Sequence, residues 1–391
     1  MTKVASISSA TLLFTAALTA TSSISPAYAA SDCETPDGRR AFTLEEQDQA
    51  TYPSIPDARF FGDDEKAFLN AVPKQPGPWL VMSGGGADGA YAAGILNGWS
   101  ERDDRPQFSV VTGASTGALI APFAFLGKDY DQHLRESYTT INAGDVFEDA
   151  ATPQSLLDTW PLKDTIAKQV TPELLEAIAK EYDKGRRLFV TTVSLDSERT
   201  TVWNMGAIAK HGGEDGLALF RNVLLASTSV PGLFPPVTFD FEANGHCVRE
   251  VHLDGSVGGP FYLAPDGWMD GSSFMHLPSE GVYLILNSQI VRHFEMTQPN
   301  TLSVLGRAIG IALKTTGRAD VERVFQSAQR DAIPINFAHI GGDFAQLSQG
   351  AFDDVYMKAL FERGETEARK GRAFRQNPPS FDAAPQDAEV R

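Results

Sequence analysis

Residues 113–117 read Gly-Ala-Ser-Thr-Gly, a G-x-S-x-G motif lying between an apolar run, "FSVVTG", and a run of small residues, "TGALIAPFAFLG". A serine on a sharp strand-to-helix turn projects its hydroxyl outward, and flanking glycines spare clashes with the neighbouring strand and helix. Ser115 is therefore a candidate nucleophile, with Gly113 and Gly117 permitting the turn. Upstream, "WLVMSGGGADGAYAAGILNGW" sets three consecutive glycines, Gly84, Gly85 and Gly86, between another apolar run and a small-residue run. Glycines at a helix N-terminus expose unpaired N–H groups, which can hold the negative oxygen of a tetrahedral acyl intermediate. A tight turn alone does not explain three in a row. The same stretch fits Gly84-x-Gly86-x-x-Gly89, the dinucleotide fingerprint. That fingerprint wants an acidic residue at the end of the next strand, where this chain has Thr112 and no carboxylate.

A serine hydroxyl needs a base. In the usual hydrolase order the acid and then the histidine follow the serine. Of the seven histidines, His276, His293 and His339 follow a plausible acid, and none has a clear post-strand loop signature. The carboxylates are more informative. In "REVHLDGSVGGP", Asp254 stands where an apolar strand gives way to glycines, with Gly255 next to it. Asp196, also after an apolar strand, is a reserve candidate whose competing role is that of a hairpin-turn residue.

The elements that must position these groups alternate between strand and helix. Apolar runs at 79–82, 108–113, 186–196, 247–255 and 281–289 read as strands, as do "RTTVWNM" and "IPINFAHI". Small-residue helices follow the first two, the second interrupted by Pro122. Residues 128–184 read as mainly helical, with Thr171-Pro172-Glu173 as a helix start. Residues 301–331 read as one long amphipathic helix or a helix pair. The segment "SVPGLFPPVTFDF" reads as core and rigid turns, or as part of an acyl-chain site. This alternation predicts an α/β fold with a mostly parallel sheet covered on both faces.

Four ordered blocks, "GGGADG", "GASTG", "ASTSVPGLFPPV" and "HLDGS", resemble the patatin-like phospholipases, exported bacterial type, over about half the chain. The resemblance implies a three-layer α/β/α sandwich and a lipid acyl hydrolase working without histidine. It implies a Ser–Asp dyad, with Ser115 as nucleophile and Asp254 as general base. The oxyanion hole would come from the N–H groups of Gly85 and Gly86, with Ala87. Gly84, Gly89, Gly113, Gly117 and Gly255 match the family's motif glycines. The chain departs from the pattern at Ser83, usually acidic, at Asp88, usually basic, and at Ser256, usually Gly or Ala. The expected substrate is an acyl ester, phospholipid or neutral glyceride, and because an acid at 88 would repel an anionic headgroup, neutral acyl esters should suit the site better than acidic phospholipids. Two other readings stay open: a catalytically silent lipid- or partner-binding member of the fold, and a dinucleotide-dependent oxidoreductase.

The formal net charge of −17 over 391 residues offers no general attraction for nucleic acid, and no block of Lys and Arg reverses it. The expected partners are a lipid or acyl-ester substrate, with transient membrane-surface contact; the sequence does not set an oligomeric state. No metal-ligand spacing or cofactor motif stands out, so none is expected. Residues 1–29 have the layout of a cleaved secretory signal peptide: Lys3, a short apolar stretch and Ala27-x-Ala29. Export to the periplasm or medium follows from it. Cys33 and Cys247 would either pair in an oxidising compartment or remain two free thiols. The expected organisation is a signal peptide at 1–29, an irregular arm with one short helix at 30–77, a catalytic core at 78–270, a C-terminal α/β extension packed on it at 271–363, and a flexible tail at 364–391.

Overall fold

The structure is a computed structural model that describes residues 33–35, 38–149, 154–292 and 296–377. The expected signal peptide lies outside the described residues. The N-terminal arm contains strands β1 (Glu34–Thr35) and β2 (Gly38–Arg39), helix α1 (Leu44–Gln49), strand β3 (Arg59–Phe61) and helix α2 (Glu65–Ala71). Next come β4 (Gly77–Met82), α3 (Gly89–Ser100), β5 (Val110–Ala114) and α4 (Thr116–Leu126). Helices α5 (Asp131–Thr139), α6 (Trp160–Gln169) and α7 (Pro172–Asp183) lead to the hairpin of β6 (Arg187–Ser194) and β7 (Arg199–Asn204). Helices α8 (Met205–His211) and α9 (Gly213–Ser227) precede a second hairpin, β8 (Val237–Ala243) with β9 (His246–Asp254). The chain then runs through α10 (Asp266–Asp270), β10 (Ser279–Gln289), α11 (Thr301–Arg330), β11 (Ile335–Ile340) and α12 (Asp354–Arg369).

Strands β11, β10, β4, β5 and β6 lie side by side and parallel, and β7 and β3 extend that sheet antiparallel. Central strands are buried on both sides, as β5 is at every residue, so they read as continuous apolar runs. Successive side chains nonetheless face opposite layers. Trp79 and Val81 pack with Phe68 of α2, Trp268 of α10 and Val321 and Val324 of α11. Leu80 and Met82 pack with α3, α4 and the helices beyond them. The result is a three-layer α/β/α sandwich with a mostly parallel central sheet.

The sequence expectations for the arm, for Pro122 and for the tail need correction. The arm is not irregular: β3 is an edge strand of the main sheet, and Arg59 on it makes a bidentate ion pair with buried Glu250 of β9 at 2.8 and 2.7 Å. Three residues are too few to show a strand period. The arm also carries two helices rather than one, the first opened by a capping box at Thr43 and Glu46. Pro122 does not interrupt α4, which runs on through it because its flanks are buried on the sheet. The tail does not start at residue 364. Gly364 lies inside α12, where a Cβ would strike the Tyr91 carbonyl, and Gly94 and Gly98 of α3 similarly abut the α12 backbone. These glycines let two helices cross at backbone contact. Within segment 229–241, residues 237–241 belong to strand β8, paired along β9, rather than to rigid turns, while Phe234, Phe239 and Phe241 are buried in the core as expected.

Candidate active site

The register of β6 brings the two ends of the site together. Residue 191 of β6 pairs with Ala114, the last residue of β5. The next residue, Thr192, pairs with Asp254, the last residue of antiparallel β9. Two strands approaching from opposite directions therefore end beside adjacent residues of one strand. Ser115 and Asp254, 139 positions apart, meet there: Ser115 Oγ donates to Asp254 Oδ2 at 2.6 Å.

Ser115 has φ of 52°, an unfavourable conformation for a residue with a side chain. Its surroundings impose the turn. A Cβ on Gly113 would strike the Gly117 carbonyl, and one on Gly117 would strike the carbonyls of Met82 and Ser83. The Ser115 N–H donates to Ser227 Oγ at 3.0 Å, and that hydroxyl donates to Thr191 O at 2.7 Å. On the opposite side, Gly255 leaves room for the Thr191 carbonyl. Asp254 Oδ1 accepts the Ser256 N–H at 2.8 Å, and the Asp254 N–H donates to Ser229 O at 3.0 Å. Only 3% of Asp254 is exposed. Burial pushes its carboxyl up to about 6, against the pull of the Ser115 and Ser256 hydrogen bonds.

The glycine loop lies beside this pair. The Cα of Gly84 faces the Ser115 Cβ and the Ser256 hydroxyl closely enough to forbid a side chain. Gly85 and Gly86 have φ of 153° and 56°, and space is open around Gly86. The Gly84 N–H is used by Pro260 O, and the turn that starts α3 closes with the Asp88 N–H on Gly85 O. The N–H groups of Gly85, Gly86 and Ala87 come before that first closing bond and are the orphan donors of a helix start.

Sequence reasoning missed the device that aims them. Asn287, fully buried at the end of β10, donates through Nδ2 to Ser83 O at 2.9 Å. Its own N–H donates to Ser83 Oγ at 2.8 Å, and its Oδ1 accepts the Ala92 N–H at 3.2 Å. Ser83 Oγ in turn donates to Gly84 O at 2.7 Å. Because a trans peptide points its C=O and N–H in opposite directions, fixing the Gly84 carbonyl fixes the Gly85 N–H. A polar residue closing the run "VYLILN" was the available signal.

Other candidates lie elsewhere. Asp196 sits in the β6–β7 turn, bonded to Arg39 at 2.7 Å. His276 is near Asp331, and His339 bonds Ile340 O. His293 lies outside the described residues. His252 is buried behind the site against Thr192 and Glu250. Asp88 is half-buried, receives the Tyr356 hydroxyl at 2.6 Å and is pushed up to about 6 by burial. Thr112, at the place of a dinucleotide site's acid, donates to Tyr262 O. Among the described residues, the group with metal-ligand spacing is Cys33, Asp240 and Cys247, and its two sulfurs are joined as a disulfide.

Residues 80–271 match the family model described as patatin-like phospholipase. Among solved structures, VipD from Legionella pneumophila is 12% identical with a TM-score of 0.36, over 77% of this chain and 68% of that one. The type III effector protein ExoU is also 12% identical, with a TM-score of 0.32, over 77% of this chain and 54% of the effector. No curated protein matches the chain.

Proposed function

Since the chain belongs to the patatin-like phospholipase family, we propose that it is a serine lipid acyl hydrolase in which Ser115 is the nucleophile and Asp254 the general base. The 2.6 Å hydrogen bond from Ser115 Oγ to a buried carboxylate, beside a glycine loop with orphan N–H groups, carries this reading.

In the proposed reaction, Ser115 Oγ attacks the ester carbonyl carbon as its proton passes to Asp254. The carbonyl oxygen becomes an oxyanion facing the N–H groups of Gly85, Gly86 and Ala87. A donor of this kind is worth about 3 kcal/mol of barrier. Collapse breaks the ester C–O bond, and Asp254 returns the proton to the departing alcohol. Water then attacks the acyl-serine, giving its proton to Asp254, and Ser115 leaves with that proton as the carboxylic acid forms. An ordinary aspartate, with a pKa of about 4, is a poor base. One raised to about 6 is better matched to neutral pH.

Asp88 supports a preference for esters without an anionic headgroup near the oxyanion loop. A panel of neutral glycerides, phospholipids and short p-nitrophenyl esters, run beside Ser115→Ala and Asp254→Asn, tests both points. Loss of all hydrolysis in both variants is expected. A clear preference for phosphatidylglycerol over a neutral glyceride of matched chain length would refute the role given to Asp88. Export is part of the proposal. The Cys33–Cys247 bond supports it, because disulfides persist in oxidising compartments. N-terminal sequencing of the mature protein checks it, with cleavage after Ala29 expected.

A further inference from the structure

Helix α11 has two unlike halves. In its second half Val321, Val324, Ser327 and Ala328 are buried against the sheet. Across residues 301–316 no described side chain is buried, although the sequence is "TLSVLGRAIGIALKTT". Its outward stripe is Val304, Ala308, Ile311, Ala312 and Thr315, all exposed, with Val304 at 52% and Ile311 at 55%. These positions recur at helical spacing and share one face. The half-buried Leu305, Ile309 and Leu313 lie towards the other side.

This half-helix borders the site. Leu305 comes up against Gly232, in the loop whose Ser229 carbonyl holds the Asp254 N–H. Further along, the charge of Lys314 is felt at Asp88 beside the glycine loop. Exposed apolar side chains continue the rim. The Leu156 N–H donates to Gly232 O, and Leu156 is 40% exposed. Val257, three residues after Asp254, is 51% exposed. Positive charge lies along this segment, where Lys314 and Arg318 also donate to the Val291 and Ile290 carbonyls. Residues 296–319 contain Arg307, Lys314 and Arg318 and no Asp or Glu, in a chain of net charge −17. An apolar helix face bordered by cations fits the boundary between lipid headgroups and acyl chains. None of the described helices is long and apolar enough to cross a membrane.

We infer that the outer face of residues 301–316 docks the protein on a lipid surface, laying the mouth of the Ser115 site against the bilayer. The inference rests on the hydrolase reading for its purpose, but docking can be measured without turnover. The test uses the mature chain carrying Ser115→Ala, sedimented with phosphatidylcholine vesicles with and without phosphatidylglycerol. Binding is expected to both, and more tightly when the anionic lipid is present. Val304→Asp with Ile311→Asp should weaken it by about ten-fold or more. The same pair in the Ser115 protein should leave hydrolysis of a soluble short-chain ester within about two-fold, as expected for exposed positions away from the reacting atoms. No vesicle binding by the parent, or binding undiminished by the pair, overturns the inference. So does a dimer in solution that the pair dissociates, because a second copy would then cover this face. Vesicle binding without any ester hydrolysis would instead sink the hydrolase reading and leave the docking face standing.

Discussion

Replacing Asp254 with Asn removes a charge that the fold holds under strain. The carboxyl is buried and lifted from an ordinary 3.8 to about 6, which at about 1.4 kcal/mol per pH unit amounts to ~3 kcal/mol. The folded protein therefore binds this proton more tightly than the unfolded chain does. Between the two values stability falls as pH rises. Asn keeps the shape, can still accept the Ser256 N–H and carries no charge. The variant should match the parent below about pH 4 and gain on it through the window, reaching an advantage of up to about 3 kcal/mol above about pH 6. Asp88 is raised in the same way but is present in both proteins, so the difference isolates Asp254. Thermal or urea unfolding of the two proteins across this range provides the assay, beside ester hydrolysis, which Asn should abolish. A variant no more stable than the parent at neutral pH would refute the reasoning, because the carboxylate would not be under desolvation strain.

Parent kcat/KM should rise with pH through about 6 as Asp254 ionises; Asp88→Asn should retain that limb, and a limb that vanishes with Asp88→Asn would assign it to the wrong carboxyl. Asn287→Ala strips the side-chain bonds to Ser83 O and the Ala92 N–H; kcat should fall by about ten- to a hundred-fold with little change in KM, and an unchanged kcat in a folded variant would mean that the glycine loop holds its own aim. Cys247→Ser cuts a bridge between residues 214 positions apart, so stability should drop by about 2–4 kcal/mol while the folded variant keeps its ester activity.

The α/β alternation was legible in sequence because the central strands are continuous apolar runs and their helices are rich in small residues. Ser115 was legible because Gly113 and Gly117 mark a turn that few other sequences make. Asp254 needed the strand end before it and the family resemblance, since what joins it to Ser115 is the register of β6, which no local pattern encodes. The Ser83–Asn287 latch depends on two strand ends, 204 positions apart, lying side by side, and so was invisible. Strand β3 was too short to show a period. Gly94 and Gly98 lay in a run legible only as a small-residue helix and Gly364 at the start of an expected tail, and only the packing of α12 on α3 shows why these glycines are there.

A fluorophosphonate probe, which reacts with an activated serine, tests the central claim most directly. The account predicts stoichiometric labelling mapped to Ser115, slowed sharply in Asp254→Asn and rising with pH through about 6 in the parent. Labelling that is absent, that maps to another serine, or that is indifferent to Asp254→Asn would contradict it.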